Sequence, residues 1–156
     1  MDHVTLPIYR GEILGVVGES GSGKSTLACT ALNIVSAPGS ITNGQVLFEG
    51  ENILNYTPNE KRQFNWHSVA MIFQAAQNSL NPILRIRDIF YETVRAHDRS
   101  VTKAQVMEKA VRLLKQVRLS PEQVLPAYPH QLSGGMKQRT IIALSLLLDP
   151  KVLVLD

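Results

Sequence analysis

The strongest constraint on this chain is an eight-residue glycine-rich segment, G-E-S-G-S-G-K-S, at residues 18–25. It matches the pattern G-x-x-x-x-G-K-[ST] at every fixed position, and it lies between an apolar segment and a run of good helix formers. Such a loop binds phosphates, because its glycines let successive backbone N–H groups point at one anion. The sequence therefore predicts a strand, a phosphate loop and a helix in direct succession, which is typical of an α/β fold.

Each residue type in the phosphate loop has a chemical reason, and magnesium-ATP is the expected ligand. Lys24 is expected to reach the β- and γ-phosphates as a mobile charge, and the hydroxyl of Ser25 to ligate Mg²⁺. The helix beginning at Lys24 adds the positive end of its dipole. Thr26 either starts this helix or places its hydroxyl near the α-phosphate. The predicted nucleotide-binding residues here are Gly18, Glu19, Ser20, Gly21, Ser22, Gly23, Lys24, Ser25 and Thr26.

Several apolar segments are predicted to be strands. Val4, Leu6 and Ile8 alternate as in a half-buried strand, and residues 12–17 are nearly all apolar, as in a strand covered on both faces. Arg10-Gly11 reads as a turn between them. Further strands are predicted at residues 45–48, 69–73 and 151–156. The last ends in Asp156, and an aspartate after such a strand in P-loop enzymes holds the magnesium shell.

Helical patterns dominate the second half of the chain. A helix is predicted at residues 26–35, and residues 86–125 carry helical patterns only. Helix starts with capping sequences are predicted at Thr57, Thr102 and Ser120. One apolar stripe at helical spacing predicts core packing, through Val106, Ala110, Leu113, Leu114 and Val117.

A second candidate anion site is the octet L-S-G-G-M-K-Q-R at residues 132–139, directly before a predicted helix. A serine cap, two glycines and a helix N-terminus would all point at one place. An ordinary capped helix would explain Ser133 and Gly134 but not the whole octet.

These segments together resemble the nucleotide-binding subunit of ATP-binding cassette (ABC) transporters. The resemblance rests on residues 18–25, on Gln74 after an apolar strand, and on residues 132–139 and 152–156, in the family order. The segments F-Q at 73–74, S-L-N-P at 79–82 and Y-P-H-Q at 128–131 resemble the oligopeptide and dipeptide importer branch, which also includes nickel importers.

The resemblance implies an α/β fold: a P-loop NTPase (ABC ATPase) core sheet with a small antiparallel β part and an all-helical subdomain. The implied organisation is a P-loop core and β part at 1–85, a helical subdomain at 86–133, and the signature helix and Walker B strand at 134–156. The domain is expected to be incomplete, with its C-terminal part absent.

The resemblance also assigns functional residues. ATP would lie between the phosphate loop of one subunit and the signature octet of another, where Ser133, Gly134 and Gly135 would contact the γ-phosphate. Gln74 would touch the magnesium or the attacking water. The expected catalytic residues are Lys24, Gln74 and Asp156, and the expected magnesium-binding residues are Ser25, Gln74 and Asp156. His130 is expected to be structural or interfacial.

The partners implied are a second nucleotide-binding subunit (identical or different), two transmembrane permease subunits docking at the helical part, and indirectly a solute-binding protein. The resemblance places the protein peripherally on the cytoplasmic face of the cell membrane, where ATP hydrolysis drives uptake of peptides or a similar small solute. The glutamate that the family carries directly after the magnesium aspartate would follow Asp156. The chain itself is therefore expected to bind nucleotide and to hydrolyse it poorly or not at all.

Composition and motif spacing argue against several other classes of protein. The chain is 44% hydrophobic, it has no apolar run of the roughly 18 residues that a membrane span needs, and its net charge of +3 is scattered, so no nucleic-acid partner is expected. A P-loop kinase would have no use for residues 132–139. A DNA-organising cassette would separate Lys24 from Asp156 by long coiled coils, whereas a two-cassette ribosome-associated protein stays open.

Overall fold

The computed structural model of the protein describes residues 3–35 and 37–156. The chain forms two compact units, Met1–Tyr56 and Thr57–Asp156. None of the helices in the described ranges has the length and apolar character that crossing a membrane requires.

The first unit holds one helix and one small hairpin. Helix α1, Lys24–Ala31, begins inside the glycine-rich loop and is shorter than the predicted 26–35. Strands β1, Leu47–Phe48, and β2, Glu51–Asn52, pair antiparallel. The two residues between the strands, Glu49 and Gly50, both have positive φ, at 51° and 90°, as a tight hairpin turn of the primed type requires. A 3₁₀ turn, Ile53–Asn55, follows and buries Ile53.

The strands predicted at residues 4–8 and 12–17 are wrong. The turn between them is present, with the backbone N–H of Glu12 donating to the carbonyl of Tyr9 at 3.2 Å. However, no described segment pairs with either stretch, and the side chains of Ile13 and Val17 are 100% and 96% exposed. A strand requires hydrogen bonds to a neighbour. Apolar content therefore indicates that a segment suits a buried sheet, but it does not supply the partner.

The second unit is mainly helical. Its helices are α2, Pro58–His67; α3, Ile86–Arg95; α4, Lys103–Gln116; α5, Pro121–Val124; and α6, Gly134–Ser145. Short 3₁₀ turns lie at Ala76–Asn78 and Pro129–Gln131. Strands β3, Val69–Ile72, and β4, Val152–Leu155, pair in parallel, so that Val69 faces Val152 and Ile72 faces Leu155.

One apolar core holds this unit together, and the predicted stripe on α4 contributes to it. Helix α4 packs against α3 and α6. Its Val106, Ala110, Leu113 and Leu114 are buried, and Val117 packs half-buried against the same cluster. Fully burying one large apolar side chain contributes about 1.5–3 kcal/mol. The other buried members of the core include Ile72, Leu80, Ile86, Phe90, Val94, Leu119, Val124, Leu132, Ile141, Ala143, Leu144 and Leu147.

Two of the three predicted helix caps are confirmed in full. The backbone N–H of Glu60 donates to Thr57 Oγ1 at 3.3 Å, and the N–H of Thr57 donates to the Glu60 carboxylate at 2.7 Å. The same reciprocal pair joins Thr102 and Gln105, at 3.4 and 2.9 Å. At Ser120 the helix start is confirmed but the cap is not, because its hydroxyl donates to the Glu122 carboxylate at 2.8 Å.

The caps generate a stability prediction. We expect Thr102→Ala to lower the free energy of unfolding by about 1 kcal/mol, because it removes an acceptor for an N-terminal N–H of α4. Ser120→Ala is the matched control and should change stability by less than about 0.5 kcal/mol, because no cap is lost. Urea denaturation of both variants measures the difference. Equal losses in the two variants would contradict this account of the caps.

Candidate functional site

The phosphate loop is a tight exposed turn that leads directly into α1. Gly21 and Gly23 have φ of 81° and 94°, in the left-handed region where other residues are strained, and Gly23 is the N-cap of the helix. The first N–H groups of α1 are those without partners inside a helix. The predicted order of loop and helix is therefore confirmed, and the loop ends where the helix dipole is positive.

The side chain of Lys24 folds back and donates to the backbone of the phosphate loop. Its Nζ atom donates to the carbonyl oxygens of Gly18 at 2.9 Å and Glu19 at 2.8 Å, and it lies 3.5 Å from Ser22 Oγ. The ammonium group is thereby held at the mouth of the glycine-rich turn. A cation in this position can exchange backbone carbonyls for phosphate oxygens, since a charge-assisted bond to an anion is stronger than one to a neutral carbonyl.

Gly18 is required by close contact. A Cβ atom added to Gly18 would lie 2.8 Å from Ser22 Oγ, which is closer than such atoms approach in proteins. The loop is also braced by the N–H of Ser22, which donates to the carbonyl of Glu19 at 3.2 Å. The fixed glycine of the motif thus has a local structural reason in this chain.

Gln74 and Asp156 emerge at the same edge of the β3–β4 sheet. The two strands are parallel and in register, so both chains leave the sheet at its carboxyl end, and the N–H of Asp156 donates to the carbonyl of Ile72 at 3.0 Å. Gln74 is at the tip of a turn closed by the N–H of Ala76 and the carbonyl of Phe73 at 3.1 Å. Both residues are exposed. Carboxylate and amide oxygens at one sheet edge suit a hard cation such as Mg²⁺.

The signature octet forms the exposed start of α6. Ser133 is the N-cap, and its Oγ atom accepts from the N–H of Met136 at 3.4 Å. Ser133, Gly134 and Gly135 are exposed, and a Cβ atom on either glycine would meet no atom within 4 Å. The serine cap and helix start predicted here are confirmed. The two glycines are not required by packing in this chain.

Sequence reasoning missed the contacts of Arg139 within this octet. Its Nε atom donates to the carbonyl of Gly135 at 3.2 Å, and its Nη1 atom donates to the carbonyl of Arg118 at 3.2 Å. Arg139 therefore ties the first turn of α6 to the end of α4. The i to i+4 spacing from Gly135 was the available signal for half of this clamp, but the contact with Arg118 has no local sequence signal.

The segment before the signature octet is held by aromatic stacking. The rings of Tyr128 and His130 are nearly parallel with centroids 5.5 Å apart, and the Arg85 guanidinium lies 5.1 Å from the Tyr128 ring centroid. Arg85 also donates to the carbonyl of Pro126 at 3.2 Å. His130 therefore takes part in the packing of this segment, and its role as a structural or interfacial residue stays a prediction.

The predicted site residues are divided between the two units. The phosphate loop belongs to the first unit, and Gln74, Ser133 and Asp156 belong to the second. Within residues 3–35 and 37–156, no three His, Cys, Asp or Glu side chains are grouped to hold a metal.

Comparison with known proteins decides the family. The sequence matches the family model described as ABC transporter over residues 1–156. The chain belongs to the ABC transporter family. Two solved ABC cassettes share its fold. One is a dimeric bacterial cassette with a TM-score of 0.79 and 26% identity, covering 97% of this chain and 62% of that one. The other, a dimeric post-hydrolysis state bound to ADP and phosphate, has a TM-score of 0.78 and 28% identity, with the same coverage.

Curated members of the ABC family extend the comparison. The chain is 45% identical over 155 residues to a dipeptide transport ATP-binding protein of Caldanaerobacter subterraneus subsp. tengcongensis, covering 99% of this chain and 48% of the relative. It is 41% identical over 158 residues to an oligopeptide transport ATP-binding protein of Escherichia coli, covering 100% of this chain and 46% of the relative. The chain spans about half the length of these curated relatives.

The glycines of the two candidate sites should respond in opposite ways to alanine. We expect Gly135→Ala to leave the free energy of unfolding unchanged or to raise it by up to about 0.5 kcal/mol, because alanine favours a helix and nothing obstructs its Cβ atom. Gly21→Ala should lower it by about 1–2 kcal/mol, because alanine at a φ of 81° is strained. Denaturant unfolding of both variants tests this. A destabilised Gly135→Ala chain would show that the fold needs this glycine.

Proposed function

We propose that this chain is the nucleotide-binding part of an ABC importer that couples ATP binding and hydrolysis to the uptake of peptides or a similar small solute. The observation that carries the proposal is the pair of exposed anion-binding features, the phosphate loop with Lys24 and the start of α6 at Ser133. Neither feature is covered by packed side chains. The names of the relatives, which are dipeptide and oligopeptide transport proteins, support the peptide class of solute.

The phosphate loop fits a nucleoside triphosphate. Two glycines with positive φ shape the turn, the N-terminus of α1 faces it, and Lys24 already donates to oxygen atoms there. In the proposed complex Lys24 binds the β- and γ-phosphates, and the backbone of Gly21 to Gly23 surrounds them. Ser25 and Asp156 hold Mg²⁺, and Gln74 orients water or the metal. When bound, ATP supplies the phosphoanhydride bond whose hydrolysis drives transport.

The start of α6 is proposed to act on a nucleotide held by a second subunit. Gly134 and Gly135 have open space around them, so another surface can approach this backbone closely. Ser133 and the first N–H groups of α6 would then meet the γ-phosphate from the other side. The proposed working unit is a pair of nucleotide-binding subunits, identical or different. The dimeric cassettes of the family support this proposal.

The remaining partners follow from an importer of this family. We place the subunit peripherally on the cytoplasmic face of the membrane, docked on two permease subunits and served indirectly by a solute-binding protein. We propose that this part of the subunit binds the nucleotide.

Nucleotide binding should depend on Lys24. We expect Lys24→Ala to weaken ATP binding by about 10- to 150-fold, the loss expected from charge-assisted hydrogen bonds worth about 1.5–3 kcal/mol. Lys115→Ala, at an exposed site on α4, is the matched control and should bind as the unchanged chain does. Titration calorimetry with Mg-ATP measures both. Equal affinity in the Lys24→Ala chain would contradict the site.

Association of two chains should depend on the phosphate loop of one chain and on the signature octet of the other. We expect Gly135→Glu to abolish ATP-dependent association of the chain while ATP binding persists, because a carboxylate would face the γ-phosphate across the interface. Mixing Gly135→Glu with Lys24→Ala chains should restore pairs, since one composite site then has an intact loop and an intact octet. Analytical ultracentrifugation with Mg-ATP measures the species. Full association of Gly135→Glu chains alone would refute the arrangement.

A further inference from the structure

A basic cavity lies in the second unit, outside every residue assigned to the nucleotide. It has a volume of about 340 Å³ and is lined by Arg62 from α2, Glu92 and Arg95 from α3, and Ala96 and Arg99 just beyond α3. We call this cavity the arginine pocket. Its three arginines come from α2, from α3 and from the segment just beyond α3, and all three line one concave surface.

The charges of the arginine pocket are not balanced by its own residues. Arg62 Nη2 donates to the carbonyl of Ala96 at 3.2 Å, which fixes its position without neutralising it. Arg95 Nη1 is 3.9 Å from the Glu92 carboxylate, and both side chains are 57% exposed. Among the residues that the structure describes, Arg99 has no ion-pair partner. Three guanidinium groups thus face one loosely paired carboxylate, leaving two excess positive charges.

His97 directly follows Ala96 of the arginine pocket, and its pKa responds to the charge of Arg62. The rings of His67 and His97 meet edge to face with centroids 5.4 Å apart. Burial lowers the pKa of His97 below its usual value, and the neighbouring His67 and Arg62 lower it further. His97 is therefore close enough to Arg62 to sense the charge of whatever the arginine pocket binds.

We propose that the arginine pocket binds the phosphate group of an anionic ligand, at a site distinct from the phosphate loop. A phosphate monoester carries about −1.5 to −2 charges near neutral pH, which matches the two excess charges, whereas a carboxylate carries only one. Guanidinium groups bind phosphate oxygens through paired N–H donors, and three of them can engage one phosphate from different sides. The arginine pocket lies in a different unit from the phosphate loop. A test of phosphate binding there is therefore independent of the proposed transport function.

Two sources can present this phosphate monoester: the headgroup of phosphatidic acid in a membrane, or a phosphate monoester in solution. Both have the same chemistry, and the arginine pocket is open enough for either. An acidic protein segment would be a different partner, with carboxylates in place of phosphate. The tests below separate these cases.

Phosphate binding should be visible at His97. We expect inorganic phosphate, at constant ionic strength maintained with sodium chloride, to raise the pKa of His97 by about 0.5–1 pH unit, because a bound dianion offsets the positive charge of Arg62, which lowers this pKa. NMR titration of the histidine ring protons of the full chain measures this. The rise should persist in the Lys24→Ala chain, whose phosphate loop is disabled.

The responsible side chains can be removed without disturbing the fold. Arg95→Gln and Arg99→Gln should each reduce the phosphate-induced rise at least threefold, whereas Arg112→Gln, on the exposed face of α4, should leave it intact. Unchanged melting temperatures establish that the variants fold. The proposal is overturned if phosphate leaves His97 unaffected, if Arg95→Gln and Arg99→Gln keep the full rise, or if a glutamate-rich peptide raises the pKa and phosphate does not.

Vesicle sedimentation then identifies the source. If the phosphate belongs to a lipid, the full chain should sediment with vesicles that contain phosphatidic acid, whose headgroup is a phosphate monoester, but not with phosphatidylcholine vesicles, and Arg99→Gln should lose this binding while Arg112→Gln keeps it. If phosphate raises the pKa of His97 but vesicle binding is absent or indifferent to Arg99→Gln, the site binds a soluble phosphate compound. Either result, together with the His97 response, supports a phosphate site.

Discussion

Burial of one apolar core between α3, α4 and α6 is the interaction on which the second unit depends. Ile86, Phe90, Leu114 and Val124 have no exposed surface, and α4 joins the two other helices through its apolar stripe. This packing fixes α6, and the exposed N-terminus of α6 presents the signature octet. The backbone of the octet is therefore held in place by the buried apolar side of the same helix, whereas Ser133, Gly134 and Gly135 remain exposed.

The phosphate loop and the signature octet each lead into the N-terminus of a helix, but the two helix starts are formed in different ways. At Gly23 a positive φ turns the loop into α1, and at Ser133 a side-chain cap begins α6. Both expose helix N–H groups that suit an anion. The glycines differ in purpose, because Gly18, Gly21 and Gly23 are needed by the loop itself, whereas Gly134 and Gly135 are not needed by the chain that carries them. That difference favours a contact from outside the chain.

The sequence predicted the local features of the site well, because each depends on residues a few positions apart. The loop, the start of α1 and the caps at Thr57 and Thr102 are all such short-range patterns. The failures also have a physical cause. Residues 12–17 have the composition of a buried strand but stay exposed, since burial depends on a distant partner. The hydroxyl of Ser120 donates to the nearby Glu122 carboxylate, and it makes no capping hydrogen bond to the N–H groups of α5.

By itself the sequence determined the phosphate loop, the helical stripe of α4 and the order of the family motifs, since glycine conformation, capping and helical periodicity are properties of adjacent residues. Only the tertiary structure decided the parallel pairing of β3 with β4, which brings Gln74 and Asp156 to one sheet edge. It alone also gathered Arg62, Arg95 and Arg99 around one cavity. Such arrangements join residues far apart in the chain, and packing of the whole unit selects them rather than any local preference.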